Sequence, residues 1–185
     1  MNDVLHFLQT RNSCARLVAP APSDSELEEI FRAALRVPDH AWLRPWRFIT
    51  IAGQRRADLG LVLQRCLQQR QPGVDAAALE KARNAPLRAP LLVAVVLALR
   101  EHPKVPAVEQ RLSAGCAAYA ILLAAEALGY AGIWRTGDAA FDRAVMAELG
   151  LAPHEELVGF VYLGTRDGAG KSLPELAAAN YVSSW

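Results

Sequence analysis

Leu91–Leu99 reads LLVAVVLAL, and Val108–Gly129, soon after it, reads VEQRLSAGCAAYAILLAAEALG. These two stretches decide the fold. The first is a continuous apolar run, bounded by Pro90 and rich in Val, of strand length. Such a run fits a strand covered on both faces. The second is too long for a strand and carries apolar or small residues around most of its circumference. It predicts a helix buried on nearly all sides, with Gly129 as its stop signal. A helix of that kind needs cover from several directions, and one chain of 185 residues supplies few. A symmetric partner would complete the cover, so the pattern predicts a homodimer. The core of the second stretch, Leu112–Leu128, contains Glu126 and is mostly Ala and Gly, which is weak for a membrane span.

Around these two stretches the pattern alternates. Asp3–Arg11 predicts a short amphipathic helix. Pro20 and Pro22 break it from a second helix at Ser25–Arg36, capped by Ser23 or Asp24 and ended by Pro38-Asp39-His40. Arg47–Ala52 (RFITIA) reads as a strand closed by Gly53. Arg55–Arg70 and Ala76–Ala85 read as helices separated by Pro72-Gly73. Beyond the long helix come a short strand at Ala131–Arg135, a helix at Phe141–Leu149 ending at Gly150, and a last strand at Leu157–Leu163. Helices outnumber strands, there is no internal repeat, and no linker is long enough to divide the chain. The expectation is one layered domain over residues 1–185, mixed α/β or α+β, with roughly four strands among helices.

Composition narrows the classes. The chain is 52% hydrophobic and 21% charged, which excludes disorder and low-complexity classes. At 185 residues a domain buries roughly 70% of its unfolded surface, so no metal or disulfide staple is needed. Net charge is +1, giving no global field to gather nucleic acid or anionic lipid. Of the 20 basic residues, 17 are arginines, the better fork for phosphate and carboxylate, although a coding bias gives the same count. Cys14, Cys66 and Cys116 are too few and scattered for a disulfide framework, and with four His they form no zinc motif. With no signal-peptide pattern at the N-terminus, a cytoplasmic protein without nucleic-acid or membrane partners is expected.

Four segments carry chemistry, each with a plainer alternative. Gly164–Ser172 (GTRDGAGKS) nears a P-loop, but five residues separate Gly164 from Gly170 where four are needed, and it reads as an exposed loop. Arg11, Asn12 and Ser13, followed by Arg16, place guanidinium forks and a hydroxyl at a helix end. That suits a phosphate, or simply the helix dipole and solvent. Arg36-Val37-Pro38-Asp39-His40, running into Arg44-Pro45-Trp46-Arg47-Phe48, is a rigid polar loop entering a strand, or a helix end with solvated charges. Gly132-Ile133-Trp134-Arg135-Thr136-Gly137 could approach a flat ligand closely, or be a strand edge with a structural Trp.

Taken together and in this order, the segments resemble the nitroreductase family of flavin-dependent oxidoreductases. R-x-S-x-x-R at Arg11–Arg16 is similar to the family's phosphate segment. Val37–Phe48 is similar to its A-P-S-x-x-N-x-Q-P-W-R-F segment. The Gly-Ile-Trp-Arg-Thr-Gly stretch, the small-residue helix before it and the closing Val-Gly-Phe-Val-Tyr-Leu-Gly-Thr strand also match. The resemblance spans nearly the whole chain and is strongest to a minimal bacterial subgroup with Pro-Asp-His in the second segment.

The resemblance implies an intertwined homodimer with a three-layer α+β fold, a central mixed or antiparallel sheet of about four to five strands surrounded by helices, and two FMN sites at its interface. Arg11, Asn12 and Ser13 would meet the phosphate and ribityl chain. Arg36 and His40 would come from the other subunit, while Trp134, Arg135 and Thr136 close over the cofactor. Ala124, Ala125, Glu126, Ala127, Leu128 and Gly129 match a stretch assigned to the nicotinamide cofactor. The tail, residues 167–185, would wrap on the partner. Asn12 replaces a usual Arg, and Asp39, Trp42 and Arg44 stand where larger relatives have Ser, Asn and Gln. The implied activity is hydride transfer from NAD(P)H to FMN, then to a nitroaromatic or quinone acceptor, in ping-pong fashion. The alternative is a flavin-binding or sensing protein without turnover.

Overall fold

The computed structural model describes residues 3–185. The helices are α1 (Asp3–Thr10), α2 (Asp24–Ala34), α3 (Gln54–Arg70), α4 (Ala76–Asn84), α5 (Ala107–Ala127) and α6 (Arg143–Glu148). The strands are β1 (Leu17–Val18), β2 (Trp46–Ala52), β3 (Leu91–Ala98), β4 (Ala131–Arg135) and β5 (Glu155–Arg166). All pairings are antiparallel. β3 lies between β2 and β5, and β5 carries β4 and then β1 along its other edge.

The apolar run of β3 is buried on both faces, as its sequence predicts. Leu91, Val93 and Val95 pack with Ile30 and Ala34 of α2 and with Ala118, Ile121 and Ala125 of α5. Leu92, Ala94 and Val96 face the opposite layer, with Leu59, Leu63 and Cys66 of α3 and Val145 and Met146 of α6. The result is helix, sheet, helix: two cores separated by one sheet. A register irregularity at Val95/Val96 leaves Val158 without a partner on β3 and bends β5 beside Gly159.

Local chemistry sets the boundaries. Ser23, not Asp24, caps α2; its hydroxyl accepts from the Glu26 N–H, and the Glu26 carboxylate accepts in return from the Ser23 N–H. α2 ends at Ala34, short of the expected Arg36. α6 starts at Arg143 rather than Phe141, because the Asp142 carboxylate accepts the Ala144 N–H and fixes the N-cap there. Phe141 is left exposed. β5 runs well past the expected Leu157–Leu163 at both ends, and the two-residue β1 carries no sequence signal at all.

The single chain covers α5 only in part, which agrees with the expectation that one chain of this length supplies little cover for it. Gln110, Ala114, Ala117, Ala118, Ile121, Leu122 and Ala125 face the core, whereas Val108, Leu112, Cys116 and Tyr119 form an exposed stripe. Among the described residues no helix is long and apolar enough to cross a membrane.

Candidate active site

β4 ends in the Trp-Arg-Thr segment, and its close packing requires glycine twice. A Cβ on Gly132 would sit 2.7 Å from Leu122 Cδ2. Gly159, at φ +151°, faces Trp134 so closely that a Cβ would lie 2.3 Å from the indole Nε1. The indole N–H donates to the Val158 carbonyl at 3.4 Å, and the ring edge comes near Gly115 of α5. Trp134 is thus wedged between the bulged part of β5 and the middle of α5.

Next to it, the Arg135 guanidinium lies over the Tyr162 ring, 5.6 Å from its centroid. Burial pushes the Tyr162 hydroxyl pKa up, and the neighbouring Arg135 charge pulls it part of the way back. Arg135 Nε is buried and has no hydrogen-bond partner. A buried guanidinium N–H without an acceptor is costly; the Trp46 indole N–H is also without one. Thr136 follows at the exposed mouth of the strand.

The Arg11–Ser13 segment lies against the same strand. The Cys14 N–H donates to the Gly132 carbonyl at 2.9 Å, which extends the sheet edge toward α1. Arg11 Nη1 donates to the Ser13 hydroxyl at 3.3 Å. Asn12 commits its side-chain amide to the Lys171 carbonyl, at 2.7 Å, and its own carbonyl accepts from Arg166 Nη2 at 3.4 Å. Asn12 therefore anchors the Gly-rich loop that follows β5. That loop leads into no α-helix, which removes the P-loop reading.

Arg36 and His40 are placed elsewhere. They precede β2, the strand at the sheet edge opposite β4. His40 Nδ1 is hydrogen-bonded to the Glu109 carboxylate in the first turn of α5, at 2.7 Å. Sequence reasoning misses Glu109, because nothing in its spacing from His40 announces the contact. No hydrogen bond or ion pair joins His40 or Arg36 to Arg11, Ser13 or Arg135 among the described residues. One chain thus brings together two of the implied segments, Arg11–Ser13 and Trp134–Thr136, and holds the third apart.

Ala124–Gly129 ends α5 in a Schellman motif. The Gly129 N–H donates to the Glu126 carbonyl and the Tyr130 N–H to the Ala125 carbonyl, with Gly129 at φ +86°. Ala125 is buried in the core, and Leu128 and Gly129 are exposed. Among the described residues no group of His, Cys, Asp and Glu is arranged to hold a metal ion.

The arrangement sets the Arg11–Ser13 segment along a tightly packed Trp-Arg strand. The family comparison fits it. The Nitroreductase family model matches residues 8–165. The chain belongs to the nitroreductase family.

Among curated relatives it is 44% identical over 181 residues to "Putative NAD(P)H nitroreductase YdjA" of Escherichia coli K12, covering 98% of this chain and 93% of that protein. Among solved structures, the nitroreductase-like family protein from Bacillus cereus superposes with a TM-score of 0.84 at 17% identity, over 100% of this chain and 97% of that one. A nitroreductase with bound FMN from Bacteroides fragilis superposes with a TM-score of 0.73 at 22% identity, over 100% of each chain.

Proposed function

We propose that this chain is an FMN-dependent oxidoreductase that takes hydride from NAD(P)H and reduces nitroaromatic or quinone-like acceptors. The observation that carries this reading is Arg135: a buried guanidinium N–H without an acceptor, beside the Arg11–Ser13 pair at one sheet edge. That donor set fits a flat cofactor with an anionic tail. When bound, FMN supplies the hydride chemistry.

The chain's own residues bind and orient. Arg11 and Ser13 offer a guanidinium and a hydroxyl to the phosphate and ribityl chain, and Asn12 holds the loop beside them. Arg135 supplies positive charge in a partly dry setting, where it stabilises negative charge more than it would in water. Trp134, held by Gly159 and Gly115, walls one side, and Thr136 stands at the mouth. The stretch Ala124–Gly129 is assigned to the nicotinamide cofactor by the resemblance alone. NAD(P)H and acceptor would use one face in turn, giving ping-pong kinetics.

The functional unit in this reading is a homodimer of residues 1–185. The exposed apolar stripe of α5 asks for cover. The tail, residues 167–185, is exposed throughout and carries Leu176, Tyr181, Val182 and Trp185, apolar surface suited to a second chain. Arg36 and His40, too far away in their own chain, would complete the partner's site. The three free thiols fit a reducing cytoplasm.

The test is the visible spectrum of the purified protein, followed by anaerobic NADH and NADPH titration. A yellow protein bleached by either cofactor and recoloured by a nitroaromatic supports the reading. A colourless protein that takes up no FMN overturns it.

A further inference from the structure

The chain beyond β5 is sewn to the segment that follows α1. Leu17 and Val18 of β1 pair with Arg166 and Thr165 at the end of β5. The Thr165 hydroxyl donates to the Pro20 carbonyl at 2.9 Å, and the Asp167 N–H donates to the Arg16 carbonyl at 3.1 Å. Arg166 Nη2 donates to the Asn12 carbonyl at 3.4 Å, and the Asn12 side-chain amide donates to the Lys171 carbonyl at 2.7 Å. The side chain and the carbonyl of Asn12 are thus both committed to residues 166–171. After Lys171 the hydrogen bonds of the tail are local, from the Asn180 N–H to the Ala177 carbonyl and from the Tyr181 N–H to the Ala178 carbonyl. Among the described residues, Asn12–Lys171 is the last hydrogen bond that fastens the tail to the body of its own chain.

The neighbours of Asn12 face a different task. Arg11 Nη1 donates to the Ser13 hydroxyl at 3.3 Å, so these two side chains lie together. They are the pair offered to an anion, and Asn12 between them reaches to the root of the tail instead. Three consecutive residues therefore join two events. An anion that draws in Arg11 and Ser13 fixes the backbone at residue 12, and with it the aim of the Asn12 amide. Without the anion that constraint is missing, and the link to Lys171 is held less firmly.

We infer that Asn12 is a tether that couples cofactor occupancy to the tail: FMN held by Arg11 and Ser13 tightens the Asn12–Lys171 link, and the fastened tail root in turn favours FMN. Equilibrium coupling is reciprocal, so both effects share one factor. This rests on the flavin reading and adds a regulation to it. Residues 167–185 are the part proposed to wrap on the partner, so loss of FMN loosens the dimer as well.

The test is limited trypsin digestion of the full-length protein, FMN-loaded and stripped of FMN, with cleavage at the Lys171–Ser172 bond followed by mass spectrometry. The Arg70–Gln71 bond, at the end of α3, serves as the reference for overall loosening. FMN is expected to slow cleavage at Lys171 about fivefold or more relative to that reference. Asn12→Ala should reduce the protection to less than about twofold and raise the FMN dissociation constant about fivefold. A second comparison separates the tether from a direct contact between Asn12 and FMN. A chain ending at Asp167 lacks the tether's acceptor, and Asn12→Ala should there cost no further FMN affinity. An equal loss in the full and shortened chains, or a parent protein that binds FMN with no change at Lys171, overturns the tether and leaves the flavin reading standing. A parent protein that takes up no FMN overturns both.

Discussion

The Arg47 guanidinium closes on the Glu155 carboxylate with two hydrogen bonds of 2.6 Å each, Nε to Oε1 and Nη2 to Oε2. This forked pair links β2 to the first residue of β5 across the end of β3. Glu155 is buried, and its second oxygen also accepts the Ala152 N–H at 2.8 Å. Arg47, the more exposed partner, thereby fixes where β5 begins.

The pair makes stability depend on acid. The Arg47 hydrogen bonds hold the Glu155 carboxyl at about 2, against an ordinary value of 4.5, despite the opposing effect of burial. A depressed folded-state value means the unfolded chain binds the proton first. The contribution is therefore complete above about pH 4.5 and is lost as pH falls toward 2. Glu155→Gln should cost on the order of 2 kcal/mol at pH 7, and its deficit against the parent should shrink on acidification through that window. Urea melts of both proteins at pH 7, 4 and 2.5 check this; a deficit constant with pH would refute the linkage.

Arg135 and Arg11 should control flavin retention. Arg135→Ala removes the buried donor and leaves the Tyr162 ring uncovered, so the FMN dissociation constant should rise by about tenfold or more. Arg135→Lys should recover part of it, because charge returns without the fork. Arg11→Ala should also lower flavin content. Absorbance ratios of the purified variants measure both. Full flavin content in Arg11→Ala and Arg135→Ala would remove these residues from the site.

The exposed stripe of α5 should hold the two chains together. Leu112 is 65% exposed in the single chain, between Val108 and Cys116 on the same face. Leu112→Glu puts a charge where the interface is expected to be dry, and light scattering should report a monomer at micromolar concentration. FMN should leave with the partner if, as proposed, Arg36 and His40 of one chain complete the other's site. A monomer that keeps its flavin would show that one chain suffices.

Much of this architecture is legible in the residues. The two-sided burial of β3 follows from an uninterrupted apolar run, and Gly129 stops α5 where its left-handed conformation is needed. The hidden parts depend on contacts distant in sequence. β1 is two residues held by the end of β5, with no periodicity of its own. The polarity of Glu155 and Glu156 conceals the start of β5, because their charges are met by Arg47 and Arg111. The long helix is covered only in part: Val108, Leu112 and Tyr119 stay exposed in the single chain, and no periodicity of the small-residue pattern marks them as the uncovered stripe. The candidate site divides the same way. Arg11–Ser13 and Trp134–Thr136 lie on segments joined by the Cys14–Gly132 backbone bond, because the chain after α1 runs along β4. The His40–Glu109 bond joins residues far apart along the chain, and no motif records it.

Gly159 should prove indispensable to the position of Trp134. Its φ of +151° lies where side chains are rarely tolerated, and a Cβ would press to 2.3 Å of the indole Nε1 and 2.8 Å of the Arg135 carbonyl. Neither obstacle is a flexible tip: one is a ring wedged against α5, the other is strand backbone. Gly159→Ala should therefore push Trp134 outward, break its bond to the Val158 carbonyl and cost about 2 kcal/mol or more. Displacement of the indole should also disturb Arg135, its neighbour on β4, so flavin affinity should fall together with stability. Tryptophan fluorescence and near-ultraviolet circular dichroism read the ring, and a thermal melt reads the cost. A variant with unchanged spectra and melting temperature would mean that the ring is not held by this glycine.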